Sequence, residues 1–160
     1  MMKQMIEILK KQLEIYKEIL KISEDKTDII VKDKVEELKP MVEREENLVQ
    51  NYITLEKQRI GMIKSFAESQ GITKMLRIND LCEYFPDDAD EMQRLKKEIL
   101  EVTRKIKVKN AVNQELVQNS LDYLNFSIGI LAGTKTGTGT YGKEGNALEN
   151  EARNFFDLSL

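Results

Sequence analysis

The side chains best suited to recognising another molecule are concentrated between Asn110 and Leu131. Amide and hydroxyl groups alternate there with apolar residues at helical spacing, in the second half of a long predicted helix that begins near Pro86 and stops at Gly133. In the first half of that helix, apolar residues recur in alternating steps of three and four at positions 92, 95, 99, 102 and 106. This period of 3.5 residues is typical of a helix that packs lengthwise on other helices. In the second half, polar residues interrupt the seam and apolar residues spread around the helix, which favours a surface that binds an extended partner.

Helix-in-groove recognition uses anchors at positions i, i+3, i+4 and i+7. Val117, Ser120, Leu121 and Leu124 fit that spacing, and the pattern continues towards Leu131. The predicted contact surface comprises Asn110, Asn113, Leu116, Val117, Ser120, Leu121, Leu124, Ile128 and Leu131. The alternative is that these side chains belong to the intramolecular core, because most apolar helical stripes do.

Other side chains that could carry chemistry are sparse. The sequence contains no histidine, which removes the commonest general base and zinc ligand, and its one cysteine, Cys82, has no partner thiol. Asp87, Asp88 and Asp90 could be read as metal ligands, but their position after Pro86 is typical of a helix amino terminus. The Gly- and Thr-rich stretch after Leu131 lacks the residue order of a phosphate-binding loop. We therefore expect no enzyme, no metal and no cofactor.

Composition narrows the class of protein further. The 160 residues are 41% apolar and 33% charged, with no tryptophan and two prolines, which predicts one all-α domain with a real core. The net charge of -3 arises from acids and bases mixed along the helices, so we expect no nucleic acid partner. No apolar run approaches the roughly 20 residues of a membrane span, and no signal peptide is evident. The sequence predicts a cytoplasmic protein without membrane insertion.

Three long helices and one short helix should hold the contact surface. We predict long helices near residues 2–30, 34–70 and 87–132, packed as an antiparallel three-helix bundle, with the 72–85 segment as a short capping helix. Asp33 with Glu36 has the form of a capping box for the second helix, Asn79 is a possible cap of the short helix, and Gly71 is a plausible left-handed terminator. Pro40 should leave the start of the second helix irregular. Unless it bends, the last helix, about 70 Å long, should protrude beyond neighbours of about 45–55 Å or leave one of its ends partly uncovered.

The sequence also predicts two regions of different character. Residues 1–132 form the helical bundle, and residues 133–160 form a flexible Gly/Thr linker followed by a short amphipathic segment. Phe155, Phe156, Leu158 and Leu160 make that last segment apolar. We expect it to pack on the last helix of its own or a neighbouring chain.

At this point the sequence resembles a known family. The matching features are the hairpin of the first two predicted helices and five motifs: Glu45-Glu46-x-Leu48, Leu55-Glu56-x-x-Arg59, Asn113-x-x-Leu116, Ser120-Leu121-x-Tyr123 and Thr140-Tyr141-Gly142-x-x-Gly145. They resemble the FlgN-like flagellar export chaperones, which escort the hook-associated proteins of the hook–filament junction. The resemblance implies a non-enzymatic helical protein that holds the helical terminal segment of such a client, blocks its premature assembly and delivers it to the export gate. It also implies that Tyr141 docks on the gate.

A second function remains open. The long last helix could instead form the contact of a homo-oligomer, which would make the protein a structural coiled-coil or bundle protein without a client. Binding of an isolated helical client segment in a one-to-one ratio would separate the two functions.

Overall fold

The computed structural model describes residues 1–131. Over this range the chain forms four α-helices and no strand: α1 (Met2–Val31), α2 (Leu38–Ser69), α3 (Ile78–Tyr84) and α4 (Pro86–Leu131). A single 3-10 turn, Val35–Glu37, precedes α2. The all-α prediction is confirmed, with three long helices and one short one at the expected places. The predicted linker, Tyr141 and the segment 147–160 lie outside the described residues, so the boundary predicted at residue 132 stays a prediction.

Helix α1 lies between α2 and α4 and contacts both. The end of α1 meets the beginning of α2, since Lys26 Nζ lies 2.6 Å from Glu45 Oε2, so these two helices are antiparallel. Helices α1 and α4 run parallel. Lys10, near the start of α1, pairs with Glu91 near the start of α4 at 3.4 Å, and Thr27, near the end of α1, bonds to Asn113 further along α4. The long helices therefore run up, down and up, as an antiparallel bundle requires of consecutive helices.

The core lies along α1 because that helix has two long neighbours. Two adjacent stripes of α1 are buried, which explains why its apolar face is wider than a single partner would need. From α4, the predicted seam supplies Met92, Leu95, Ile99 and Ile106, each at most 1% exposed. Burying one such side chain contributes about 1.5–3 kcal/mol. The first half of α4 is thus ordinary core, as predicted.

The short helix α3 covers one end of the bundle, as expected of a cap. Ile78 and Leu81 are fully buried, and the ring of Phe66 in α2 lies 5.4 Å from Tyr84 and 5.1 Å from Phe85. The prediction that Asn79 caps α3 is wrong. Arg77 precedes α3, and its backbone N–H donates to the Asp80 carboxylate at 2.7 Å.

Asn79 instead contacts α4. Its side-chain oxygen accepts hydrogen bonds from Gln93 and Lys96, both at 3.0 Å. An acid in the first turn serves the exposed N–H groups and the helix dipole better than an amide already used elsewhere.

Two helices end in the same left-handed motif. At the end of α2, Gly71 has φ +66°, its N–H donates to Glu68 O at 3.1 Å, and the Ile72 N–H donates to Ala67 O at 2.9 Å. This is a Schellman ending, which confirms the prediction for Gly71. At the end of α1, Asp33 has φ +57° and takes the same place.

The predicted capping box at Asp33 is therefore wrong. The Asp33 N–H donates to Ile30 O at 3.1 Å and the Lys34 N–H to Ile29 O at 3.0 Å, so this residue ends α1 and does not begin α2. The irregular start expected near Pro40 takes the form of the 3-10 turn. Because α2 begins only at Leu38, Pro40 falls in its first turn, where the missing N–H has no helical partner to lose.

A buried polar cluster joins α1 to α2. Arg59 donates two hydrogen bonds to the Glu56 carboxylate, at 2.8 and 2.6 Å, and Gln12 of α1 donates a third at 2.9 Å. The rings of Tyr16 and Tyr52 lie 5.0 Å apart and are also buried. Burial alone would raise the pKa of Glu56, but the hydrogen bonds and charge of Arg59 and the bond from Gln12 outweigh it and hold that pKa below its usual value.

Replacing Asp33 by glycine should stabilise the protein. Glycine adopts a positive φ without a Cβ clash, whereas other residues carry a cost there, and the Asp33 side chain is exposed. We expect Asp33→Gly to raise the free energy of unfolding by about 0.5–1 kcal/mol, measured by urea titration. Gly71→Asp, the reverse change in the same motif, should lower it by about 1 kcal/mol. Equal destabilisation by both variants would contradict this account.

The lowered pKa of Glu56 makes stability depend on pH. A carboxyl whose pKa is lower in the folded state stabilises the fold fully above its unfolded pKa, and this stabilisation is lost as pH falls through the folded pKa. We therefore expect the free energy of unfolding to decrease as the pH is lowered below about 4.5. Glu56→Gln should remove that part of the pH dependence and cost about 3–5 kcal/mol at pH 7, because Arg59 stays buried without its counter-charge.

The matched control for this carboxyl is Glu14→Gln. Glu14 forms an exposed pair with Lys17 in α1, so its loss should change stability by less than about 1 kcal/mol at any pH. Urea titrations of the three proteins between acid and neutral pH test the assignment. An unchanged pH slope in Glu56→Gln would contradict it.

Candidate protein-interaction site

Helix α4 continues well beyond the helices it packs against. Asn113 still bonds to α1, and α1 itself ends at Val31. Residues 114–131, which we name the α4 extension, add about 27 Å of helix at 1.5 Å per residue. Within the extension only Leu116, Ser127 and Gly129 are half-buried, and the other residues are exposed. The predicted overhang of the last helix is confirmed.

The extension carries a continuous line of apolar side chains. We name as the apolar stripe the set Val117, Leu121, Leu124, Ile128 and Leu131. These residues are between 40% and 87% exposed, and they follow one another in steps of four and three. That spacing places them on one side of the helix, with the geometry of a seam that expects a second helix. Among the described residues, no helix packs along this side.

Two serines and one glutamine of the extension donate hydrogen bonds within their own helix. The Ser120 hydroxyl donates to Leu116 O at 3.0 Å, and the Ser127 hydroxyl donates to Tyr123 O at 2.9 Å. Gln118 donates to Asp122 at 2.9 Å. The two serines therefore demand no hydrogen bond from a partner, and their sides of the helix can accept an apolar surface.

The charge of α4 changes abruptly at Asn110. Between Pro86 and Lys109 acidic and basic residues occur throughout, whereas between Asn110 and Leu131 the only charged residues are Glu115 and Asp122. Sequence reasoning overlooked this loss of charge, although it marks the start of the exposed region. A surface without bases does not fit a phosphate backbone, and a partner of this surface must be held mainly by apolar contacts.

A groove lies at the base of the extension, where all three long helices meet. Ile30, Leu38, Val42 and Val117 line its apolar part, and its volume is about 300 Å³. Its polar lining is Lys26, Asn113, Gln114 and Gln118. We name this the base groove; because Val117 belongs to both, the apolar stripe leads directly into it.

Sequence reasoning missed the residues that α1 and α2 contribute to this groove. Ile30, Leu38 and Val42 lie on either side of the turn between the two helices, and their apolar character fits an ordinary core. Val42 is nevertheless 41% exposed. Only the register of α4 against α1, with residue 113 beside residue 27, shows that this turn faces Val117.

Asn110 and Asn113 contact α1 and lie apart from the apolar stripe. Ser23 Oγ donates to Asn110 Oδ1 at 2.9 Å, and Thr27 Oγ1 donates to Asn113 Oδ1 at 2.6 Å. The Asn113 amide also donates to Ser23 O at 2.8 Å, and its side chain is buried. These bonds fix the point at which α4 leaves α1.

The predicted contact residues thus fall into distinct groups. The six that lie exposed together on the extension are Val117, Ser120, Leu121, Leu124, Ile128 and Leu131. Leu116 is half-buried beside them, and Asn110 and Asn113 hold the base. Tyr141 lies outside the described residues.

The described residues offer little other chemistry. Residues 1–131 contain no group of three or more acids or cysteines placed to hold a metal ion. None of the helices in this part of the chain is long and apolar enough to cross a membrane. Asp87 and Asp88 lie in the first turn of α4, as predicted for acids at a helix amino terminus.

Comparison with known proteins agrees with this architecture. The family model for FlgN protein matches residues 1–149 of the chain. The chain is also similar to the uncharacterized protein YvyG of Bacillus subtilis (strain 168), with 24% identity over 132 residues that cover 81% of this chain and 79% of that protein. No solved structure matches it. Since the family match spans nearly the whole sequence, the chain belongs to the FlgN family, a family of flagellar export chaperones and not of enzymes.

Proposed function

We propose that this protein is a cytoplasmic chaperone that binds the helical terminal segment of hook-associated proteins, prevents their premature assembly and delivers them to the flagellar export gate. The observation that carries the proposal is the apolar stripe on the α4 extension. Five large apolar side chains in a seam are left in contact with solvent, although the same helix buries Met92, Leu95, Ile99 and Ile106 of its other seam. An uncovered apolar line of this kind on a helix is suited to a second helix.

The client helix would lie along the stripe with one end in the base groove. Covering the five stripe side chains, which are about half exposed, would contribute on the order of 4–7 kcal/mol before the client's own side chains are counted. Much of this gain is offset by the loss of freedom on association, so each anchor matters to the affinity. The hydrogen bonds of Asn110 and Asn113 keep the base of the extension in place while the client binds.

This mode of binding accounts for the chaperone effect. In this proposal the client's terminal helix uses one apolar face both to bind the stripe and to assemble with its neighbours. When the stripe covers that face, the same side chains are unavailable for assembly. Release at the gate then restores them.

Gate docking belongs to a different part of the chain. By resemblance to the family we assign it to Tyr141, which follows the extension by ten residues in the sequence. Docking and client binding would therefore use separate residues, and a client held on the stripe would leave Tyr141 free for the gate.

The alternative function is self-association of the extension without a client. The heptad-like spacing of the stripe would also suit a second copy of the same helix. In that case the protein would be a structural homo-oligomer, and an isolated client helix would not bind in a one-to-one ratio.

Placing a charge on the stripe should abolish client binding and leave the fold intact. Leu121 and Leu124 are 48% and 54% exposed, so aspartate at either position stays solvated in the free protein. In the complex the same carboxylate would be buried without a partner, which costs several kcal/mol. We expect Leu121→Asp or Leu124→Asp to weaken binding of a hook-associated terminal peptide by about a hundredfold or more, measured by isothermal titration calorimetry.

The matched control is Leu100→Asp. Leu100 belongs to the same helix, is the same residue type and is 50% exposed, but it lies in the bundle half of α4. All three variants should keep the helicity of the parent by circular dichroism, and Leu100→Asp should keep its affinity. Equal binding by all variants would exclude the stripe as the client site. Lost helicity in the stripe variants alone would assign Leu121 and Leu124 to the fold.

Replacing Tyr141 should separate docking from client binding. We expect Tyr141→Ala to bind the client peptide with unchanged affinity, because Tyr141 is not part of the stripe or the base groove. Binding of the chaperone–client complex to the isolated soluble domain of the export gate should fall at least tenfold, equivalent to about 1.4 kcal/mol. Thr140→Ala, the neighbouring change, serves as the control. Loss of client affinity in Tyr141→Ala would show that the two sites overlap.

A further inference from the structure

We propose that residues 147–160 of the same chain cover the apolar stripe when no client is bound. The contact itself does not depend on the client role of the stripe. Its consequence, competition between this segment and the client, rests on the function proposed above.

The apolar stripe is not covered by any helix of the described part of the chain. Its five residues are exposed over about 21 Å of helix between Val117 and Leu131, and no described helix packs on them. Exposed lines of this length cause association unless something covers them. The occupant should be apolar, short and present whenever the protein is.

Residues 147–160 have the required composition. Leu148, Ala152, Phe155 and Phe156 follow one another at the helical offsets i, i+4, i+7 and i+8, and Leu158 and Leu160 come after them. The two phenylalanines are the largest apolar groups of the sequence that lie beyond Leu131. They are the kind of side chain that fills the holes of a leucine-lined seam.

The charges of the two segments do not oppose the contact. Residues 147–160 contain three acids and one arginine, and the extension contains only Glu115 and Asp122. At 100° per residue, both of these acids lie roughly 140–160° around α4 from the centre of the stripe. The acids of the extension therefore face away from a segment that lies on the stripe.

The length of the connection matches the length of the stripe. The 15 residues numbered 132–146, rich in glycine and threonine, separate the end of α4 from the apolar segment in the sequence, and we treat them as a tether. A tether of this composition has a root-mean-square span of about 20–23 Å. The segment can thus reach any part of the stripe, including Val117 at its base.

The tether also decides between this segment and a second copy of the chain. A short flexible connection holds its segment at an effective concentration on the order of millimolar. A contact with a dissociation constant of about 0.1 mM would then be occupied about ten to one within one chain. At micromolar protein concentration, the same weak contact between two chains would be formed in only a small fraction of the molecules.

Client binding would displace the segment from the stripe. The apparent affinity for client would be lowered by the occupancy of the intramolecular contact, about tenfold in this case. Tyr141 lies within the tether, so the arrival of a client would also change the position of the residue assigned to gate docking. A chaperone without a client would then present Tyr141 differently from a loaded one.

The test is amide hydrogen exchange over residues 117–131 in the full chain. We expect exchange there to become about tenfold faster in the double variant Phe155→Ser/Phe156→Ser than in the parent. The matched control is Asn154→Ser/Asp157→Ser, which changes polar neighbours in the same segment and should exchange like the parent. Exchange in the first half of α4 should be the same in all three proteins.

Two outcomes would overturn the proposal. If the phenylalanine variant exchanges like the parent, residues 147–160 do not cover the stripe. If protection of the stripe rises with protein concentration and ignores the phenylalanine change, a second copy covers it. A mixture of isotope-labelled and unlabelled chains, with a spin label on residue 158 of the unlabelled chains only, checks this second outcome, because broadening of stripe signals would then require two chains.

Titration with the client peptide keeps this inference separate from the proposed function. If both hold, the phenylalanine variant binds client about tenfold more tightly than the parent. If its stripe exchanges faster but its client affinity is unchanged, the intramolecular contact stands and the competition fails. If the contact is absent while Leu121→Asp still abolishes client binding, the proposed function stands without this regulation.

Discussion

The bonds of Asn113 to α1 set the register on which the position of the apolar stripe depends. This buried amide accepts a hydrogen bond from Thr27 and donates one to the carbonyl of Ser23, and Asn110 repeats the contact one turn earlier. A buried polar group tolerates only one alignment, because any sliding of the helices would leave it without partners. A seam of leucine and isoleucine alone could shift by a turn at small cost. The amide bonds thereby determine that Val117 meets the end of α1, and that everything beyond it overhangs.

The cluster of Gln12, Glu56 and Arg59 constrains the other side of α1 in the same way. It joins α1 to α2 by hydrogen bonds from Gln12 and Arg59 to a single carboxylate. Because α2 and α4 are both held in register with α1, the turn between α1 and α2 lies at the base of the extension. The base groove is the result: it exists only because Leu38 and Val42 are brought opposite Val117. Separating the partners of such a buried group is costly, which favours the one alignment of α1 and α2 that keeps them together.

Much of this architecture could be read from the sequence because its helices are long and strongly periodic. The seam through Met92 and Ile106 predicted the buried half of α4, and the lengths of the helices predicted the overhang. The errors occurred where one side chain could serve either of two adjoining elements. Asp33 matched the pattern of a helix start but ends α1, because aspartate also tolerates a positive φ. Asn79 resembled a cap, whereas α3 is capped at Arg77, whose N–H donates to the Asp80 carboxylate.

The position of the asparagines on α4 could not be predicted in the same way. Asn110 and Asn113 looked like part of an exposed surface. A polar residue within a seam can either face solvent or form a buried hydrogen bond, and the sequence does not distinguish the two. Only the register against Ser23 and Thr27 places them beside α1. The contribution of α2 to the base groove required the same register. One-dimensional periodicity gives the face of a helix, but not the level at which two helices meet.

The near absence of charge beyond Asn110 has a consequence for how this surface meets its partners. Long-range steering needs opposite fields, and the extension offers only two acids that point away from the stripe. Encounters there would proceed by unguided collision, at rates of about 10⁵–10⁶ M⁻¹s⁻¹, with little dependence on ionic strength. A surface of this kind would discriminate between partners by their dissociation rates and not by their association rates.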